Sequence, residues 1–376
     1  MKKYLMTPGP TPIPPEVLLK MAEPIIHHRT PQFMAILKEA NEGLKYVFQT
    51  KNDVITFASS GTGAMEASVI NVLSAGDKCI VVRGGKFGER FAEIAQAYGI
   101  TPINIDVQWG TAPDPEIIKA TLKKNPDVKA VYTTLCETST GTTYDIESIG
   151  KIVKDTPAIL VVDAISGLGA DQLMTDEWAV DIVVAGSQKG LMLPPGLSFC
   201  SVSQKAMGLA EKSKAPKFYF SFKAAKKALD KTDTPWTPAI TLIIGLTQAI
   251  KLMREEGLDN IFKRHHKLAE ATRQGVKAIA LELYSKRPSD AITAIKVPAG
   301  VDGEKLVKSM RDTHGVTIAG GQEELKGKIF RIAHMGFMEK FDVVAALTAT
   351  EIGLAEQGYK FEYGKSQGAA EKVLLD

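Results

Sequence analysis

At 376 residues the chain is too long for one small core and predicts a large domain with a smaller companion. Hydrophobic residues make up 44% and charged residues 24%, and 46 Lys+Arg against 43 Asp+Glu leave only +3, too even a balance to predict nucleic acid or an acidic membrane as partner. No apolar run approaches a membrane span and the opening MKKYLM is no secretion signal. Cys79, Cys136 and Cys200 lie far apart without metal-ligand spacing, so no metal and a reducing cytoplasm are expected.

In chain order, Pro8-Gly9-Pro10-Thr11-Pro12-Ile13-Pro14-Pro15 cannot be regular helix or central strand, because proline lacks an N–H and fixes φ. It predicts an extended arm, with a helix starting near Pro15 and a second helix from Gln32 to Phe48. From Asp53 the runs VITFAS, CIVV, PINIDV, AVYTTL, ILVVD, DIVVAGS and LSFCSV read as strands, with amphipathic helices between the earlier ones. That alternation predicts an α/β fold with a mainly parallel sheet covered on both faces, whose ligands sit beyond the carboxyl ends of the strands. A lysine-rich stretch, 204–233, leads through Thr234-Pro235-Trp236-Thr237-Pro238 to a helix from Ala239 that stops at Gly257. Beyond Leu281 the short strands AITAIKV, GVTIAG and IFRIAH alternate with helices. The expected division is an N-terminal arm (1–17), a large domain (18–257) and a smaller α/β C-terminal domain (258–376).

Several strand ends carry chemistry. Asp163 ends ILVVD and Lys189 follows DIVVAGS through Gly186, Ser187 and Gln188. A carboxylate and an amine on neighbouring strand tips suit a pyridine cofactor, with Lys189 as the Schiff-base amine and Asp163 holding the ring nitrogen protonated. The plain alternative is a helix cap and a solvated lysine. Ser60-Gly61-Thr62, between a strand and a helix, offers backbone N–H groups and hydroxyls to a phosphate, or is only a tight turn. The turn Gly84-Gly85-Lys86-Phe87-Gly88 has the wrong glycine spacing for a dinucleotide, and Phe87 suits an aromatic plate or simple packing. Glu137-Thr138-Ser139-Thr140-Gly141 brings hydroxyls to another tip, for a ligand or a cap. Arg331, inside the apolar IFRIAH strand, needs a partner: a substrate carboxylate held bidentately, or a glutamate.

Together, Thr7-Pro8-Gly9-Pro10, Ser60-Gly61-Thr62, Glu137-Thr138-Ser139-Thr140-Gly141, Asp163, Gly186-Ser187-Gln188-Lys189 and Pro194-Pro195-Gly196 resemble the class V, fold-type I pyridoxal-phosphate aminotransferases. Within them the chain is most similar to the alanine–glyoxylate and serine–pyruvate/serine–glyoxylate group. The resemblance spans nearly the whole chain. It implies pyridoxal 5'-phosphate on Lys189, with Asp163 at the ring nitrogen, Ser60, Gly61, Thr62 and Gln188 at the phosphate, Phe87 stacked on the ring and Thr138 at the phenolic oxygen. Phe87 stands where many relatives carry tryptophan. Thr237 would reach the phosphate of a partner subunit, implying a homodimer; Thr234 stands where some relatives have tyrosine. Arg331 and the Gly9 region would bind substrate.

The implied reaction is ping-pong transamination of alanine or serine with glyoxylate or pyruvate. An aspartate or broad-specificity aminotransferase of the same fold is the alternative, and a non-catalytic interaction protein on that fold is another. A cysteine desulfurase is disfavoured because no cysteine follows Cys200. Iron–sulfur or nickel redox roles are disfavoured by cysteine number and spacing.

Overall fold

A computed structural model describes residues 3–375; Met1, Lys2 and Asp376, at the ends of the expected arm and C-terminal domain, lie outside the described residues. The chain opens with β1 (Tyr4–Leu5), α1 (Pro15–Met21) and α2 (Pro31–Val47). Then follow β2 (Asp53–Phe57), α3 (Gly61–Ile70), β3 (Lys78–Arg83), α4 (Lys86–Ala97), β4 (Thr101–Asp106), α5 (Pro115–Lys124) and β5 (Val128–Thr134). A ribbon of β6 (Cys136–Glu137) and β7 (Thr142–Thr143) leads to α6 (Ile146–Lys154), β8 (Ile159–Asp163), β9 (Ile182–Gly186) and β10 (Ser198–Val202). These are the seven predicted strands, and they form one sheet in the order β2-β10-β9-β8-β5-β3-β4.

The pairings β3–β4, β3–β5, β5–β8 and β8–β9 are parallel, whereas β10 is antiparallel to both its neighbours. The reason is length. Only residues 187–197 separate β9 from β10, and a parallel return needs a crossover of about a dozen residues or more. Inside the sheet, successive side chains enter opposite cores: Ile159 and Val161 of β8 pack on one face, Leu160 and Val162 on the other. Both faces are covered, which is why the strands read as unbroken apolar runs.

Four helices, α7 (Gln204–Ala210), α8 (Phe222–Leu229), α9 (Ile240–Glu256) and α10 (Leu258–Ala278), lead out of the sheet region. The C-terminal part contains β11 (Ile292–Lys296), α11 (Gly303–Asp312), β12 (Val316–Thr317), β13 (Ala319–Gly320), β14 (Ile329–Ala333), α12 (Lys340–Glu356) and α13 (Lys365–Leu375). The run GVTIAG, expected as one strand, is split. Its first half, β12, pairs in parallel with β1, and its second, β13, joins the sheet β11-β14-β13. Met6, just past β1, is buried in the C-terminal core with Phe330 and Ile332. The chain's first strand is therefore packed with its last third. Among the described residues no helix is long and apolar enough to cross a membrane.

Candidate active site

Because β2, β3, β5, β8 and β9 run the same way, their carboxyl ends share one edge of the sheet, where an open α/β fold binds ligands. At β8 the tip is Asp163, only 4% exposed; its Oδ1 accepts the Ile165 N–H at 2.8 Å. At β9 the chain turns through Gln188 to Lys189, 8% exposed, whose Nζ donates to Ser166 Oγ at 3.0 Å. Ser166 Oγ lies 2.5 Å from Thr138 Oγ1. Burial holds the Lys189 ammonium down to about 8, although the Asp163 charge acts to raise it. Burial pushes the Asp163 carboxyl up to about 7, against the lowering effect of the Ile165 bond. Each charge is disfavoured alone and supported by the other.

The N-terminal arm closes over this pair. Thr11 donates from Oγ1 to the Lys189 carbonyl at 3.0 Å and from its N–H to the Gln188 carbonyl at 3.1 Å. Gly9, at φ +128, leaves no room for a side chain: a Cβ there would sit 2.4 Å from Lys189 Cε.

At the start of α3, Ser60 is the N-cap residue yet makes no side-chain cap bond, and the helix opens at Gly61. Six other N-caps, Thr30, Asp114, Asp145, Ser203, Ser221 and Asp302, spend their side chains on their own helices. Gln188 Oε1 is buried without a partner among the described residues. An uncommitted hydroxyl, an orphaned amide oxygen and a helix N-terminus make a cradle suited to a phosphate group.

Phe87 stands in the first turn of α4. That helix has no cap of its own at Gly85; the carboxylate of Glu137 does the work from β6, accepting the N–H groups of Phe87 (3.2 Å), Gly88 (3.0 Å) and Ser139 (3.2 Å) and the Ser139 hydroxyl (2.5 Å). Glu137 is fully buried, and burial raises its pKa against these bonds.

Arg331 is 4% exposed on β14, where the two-residue period sends Phe330 and Ile332 into the C-terminal core and Arg331 to the opposite face. Nε and Nη2 donate to the Gly320 carbonyl (3.0 and 2.7 Å), and Nη1 to the Thr138 carbonyl (2.8 Å) and Gln322 Oε1 (3.4 Å). Burial lowers its pKa to about 10. The guanidinium is thus held by neutral oxygens, and among the described residues no carboxylate forms an ion pair with it.

The structure therefore gathers Gly9, Thr138, Asp163, Gln188, Lys189 and Arg331 into one linked group, with Ser60–Thr62 and Phe87 at the same edge. Thr237 stands apart: it is exposed on the Thr234–Pro238 turn, and no hydrogen bond joins it to the others among the described residues. Sequence reasoning missed Ser166 and Glu137. Ser166 had a signal in its position three residues past Asp163; Glu137 had only its presence in the Glu-Thr-Ser-Thr-Gly tip.

A lysine and an aspartate buried at adjacent parallel strand ends, beside a phosphate cradle, define a fold-type I pyridoxal-phosphate transferase. The chain belongs to the class-V aminotransferases, whose family profile matches residues 3–338. It is an enzyme, a transaminase, and its cofactor is pyridoxal 5'-phosphate. The chain is 37% identical over 388 residues, covering 100% of this chain and 96% of the relative, to a serine–glyoxylate aminotransferase of Methylorubrum extorquens. The crystal structure of ureidoglycine–glyoxylate aminotransferase from Bacillus subtilis superposes with a TM-score of 0.95 at 30% identity, covering 100% and 99% of the two chains. A Synechococcus protein named as the small subunit of a soluble hydrogenase is 45% identical over 380 residues, covering 99% and 98%. In this chain the three cysteines are buried and free, and among the described residues no group of three or more His, Cys, Asp or Glu is placed to hold a metal ion.

Proposed function

We propose that the chain transfers the amino group of a small L-amino acid, alanine or serine, to glyoxylate or pyruvate, in ping-pong fashion through Lys189. One observation carries this reading: a buried amine held near neutrality beside a buried carboxylate, with the uncommitted charge of Arg331 linked to the amine through Thr138 and Ser166. Two relatives named for glyoxylate as acceptor support the acceptor, and the absence from the sequence of a recognisable second arginine clamp favours short donors.

When bound, pyridoxal phosphate supplies the aldehyde that takes up the amino group and the electron sink that makes the Cα–H acidic. Ser60, Gly61, Thr62 and Gln188 would hold the phosphate and Phe87 would stack on the ring. Asp163, which keeps Oδ2 free of the Ile165 bond, would hold the ring nitrogen protonated, and Thr138 would serve the phenolic oxygen. Arg331 orients the substrate carboxylate, and Gly9, packed against Lys189 Cε, lines the substrate pocket. Lys189 Nζ would be the base that takes up the substrate Cα proton and the acid that returns it; its lowered pKa keeps a useful fraction in the basic form at neutral pH. Thr237 reaches the phosphate of a second subunit in a homodimer, a reading supported by its exposure on the 234–238 turn. The three free thiols favour a cytoplasmic location. The arm (1–17), a cofactor-binding unit (18–257) and a C-terminal unit (258–376) are the parts, the first tied to the last through β1 and β12.

The test is the visible absorption of the purified protein. A yellow band bleached by L-alanine or L-serine and restored by glyoxylate is expected. A band bleached by L-aspartate alone would refute the substrate class, and no band after incubation with pyridoxal phosphate would refute the role of Lys189.

A further inference from the structure

The groups assigned to the phosphate are Ser60, Gly61, Thr62 and Gln188, with Thr237 reaching from a second subunit: hydroxyls, backbone amides and a carboxamide, all neutral. A phosphate ester carries about −1.5 to −2 charges at neutral pH. The N-terminus of a helix offsets about half an elementary charge. A dianion held on these donors alone is left short of positive charge, and an arginine within reach would make up the balance.

Arg90 is in reach. It lies three residues after Phe87 on α4, so both side chains leave the helix on one face. Its Nη1 donates to Thr62 Oγ1 at 3.3 Å, and its Cζ lies 4.9 Å from the centroid of the Phe87 ring. One guanidinium thus joins the phosphate turn to the aromatic plate. Among the described residues no carboxylate forms an ion pair with it, and the long hydroxyl bond leaves most of its five N–H donors free. Its field also extends to the reaction centre, where it lowers the pKa of both Asp163 and Lys189.

We propose that Arg90 is the cation of the cofactor-phosphate site, reaching from α4 across the start of α3 to bind the phosphate together with Thr62. The proposal rests on the phosphate reading of the Ser60–Thr62 turn. It makes Arg90 a residue that separates the phosphorylated cofactor from its unphosphorylated aldehyde.

The experiment compares the wild-type protein with Arg90→Met, Arg90→Gln and Arg90→Lys. Each is titrated with pyridoxal phosphate and, separately, with pyridoxal, and the dissociation constants are read from the visible band. Loss of one charge-assisted contact should weaken pyridoxal phosphate by about 10- to 100-fold in Arg90→Met and Arg90→Gln. Pyridoxal, which has no phosphate, should bind all the proteins alike, and Arg90→Lys should recover most of the lost affinity. Equal weakening of both ligands would overturn the proposal, because it would mean that Arg90 only braces Phe87 or the fold. Unchanged affinity for pyridoxal phosphate in the neutral variants would overturn it too. If Arg90→Met does not fold, Arg90→Gln carries the comparison, since the ratio of the two affinities is insensitive to overall stability. A wild-type protein that forms no band with either ligand would strike at Lys189 itself, an outcome separate from failure at Arg90.

Discussion

The depressed pKa of Lys189 makes a quantitative demand on how the protein takes up its cofactor. Only the neutral amine attacks an aldehyde, and burial holds this one at about 8. At pH 7.5 a lysine of that pKa is about one-quarter neutral, against about 0.1% for an ordinary lysine. Capture at Lys189 should therefore run about 200-fold faster than at a solvated lysine of equal intrinsic reactivity. The sign follows from the direction of the shift: a lowered pKa means more free base at a given pH, so the rate climbs with pH, with a midpoint near 8, and levels off above it. The assay mixes cofactor-free protein with excess pyridoxal phosphate in a stopped-flow cell between pH 6 and 10 and follows the visible band. Asp163→Asn supplies the internal control. The Asp163 charge acts to raise the Lys189 pKa, so its removal should move the midpoint below 8. A wild-type midpoint near 10 would refute the claim that desolvation governs this amine, and an upward move in Asp163→Asn would refute the coupling.

Arg331→Lys keeps the charge and loses the fork. KM for both amino and keto acid should rise about 10- to 100-fold in steady-state assays while the cofactor band stays intact, and unchanged KM for both would refute the clamp. Arg331→Ala also strips the Gly320 and Thr138 carbonyls of their donor, at about 1–3 kcal/mol for each buried oxygen left unpaired, so urea unfolding should find it less stable than the Lys variant. Glu137→Gln turns one of two oxygens that together face four donors into an NH2 group, so only part of those donors can be satisfied. A stability loss of about 1–3 kcal/mol is expected in denaturant titrations, together with altered visible circular dichroism as Phe87 shifts. Neither change would mean that Glu137 does not hold α4 in place.

The strands were legible because burial on both faces turns them into continuous apolar runs, and the functional edge because each run ends in a polar residue. Asp163 and Lys189 could be paired from sequence since β8 and β9 are neighbours in space as well as in the chain. Direction was harder. Nothing in LSFCSV marks it as the antiparallel strand of the seven-stranded sheet; the shortness of the loop before it does. GVTIAG reads as a single strand because its break is a change of partner, from β13 beside β14 to β12 beside β1, and pairing partners are not a local property. Glu137 was hidden for a similar reason. A glutamate at a strand tip looks solvated until the N–H groups of Phe87 and Gly88 are seen to converge on it from another element. Arg331 was legible as a buried cation, but its partners, two backbone carbonyls, carry no sequence signature.

Lys189 carries this reasoning to its end. What distinguishes it from the other lysines is desolvation, and its cover comes from segments far apart in the chain. Gly9 of the N-terminal arm lies against Cε, Ser166 after β8 accepts from Nζ, and Gly336 after β14 sits against the carbonyl. The arm that supplies the first of these is anchored at both ends, by β1 and Met6 in the C-terminal core and by Thr11 on Gln188 and Lys189. A tripeptide around Lys189 would titrate as any lysine does. The reactive amine is therefore made by the tertiary fold: the sequence marks which lysine is used, while the closing of the arm against the C-terminal strands makes that lysine basic enough to bind a proton and neutral enough to give it up.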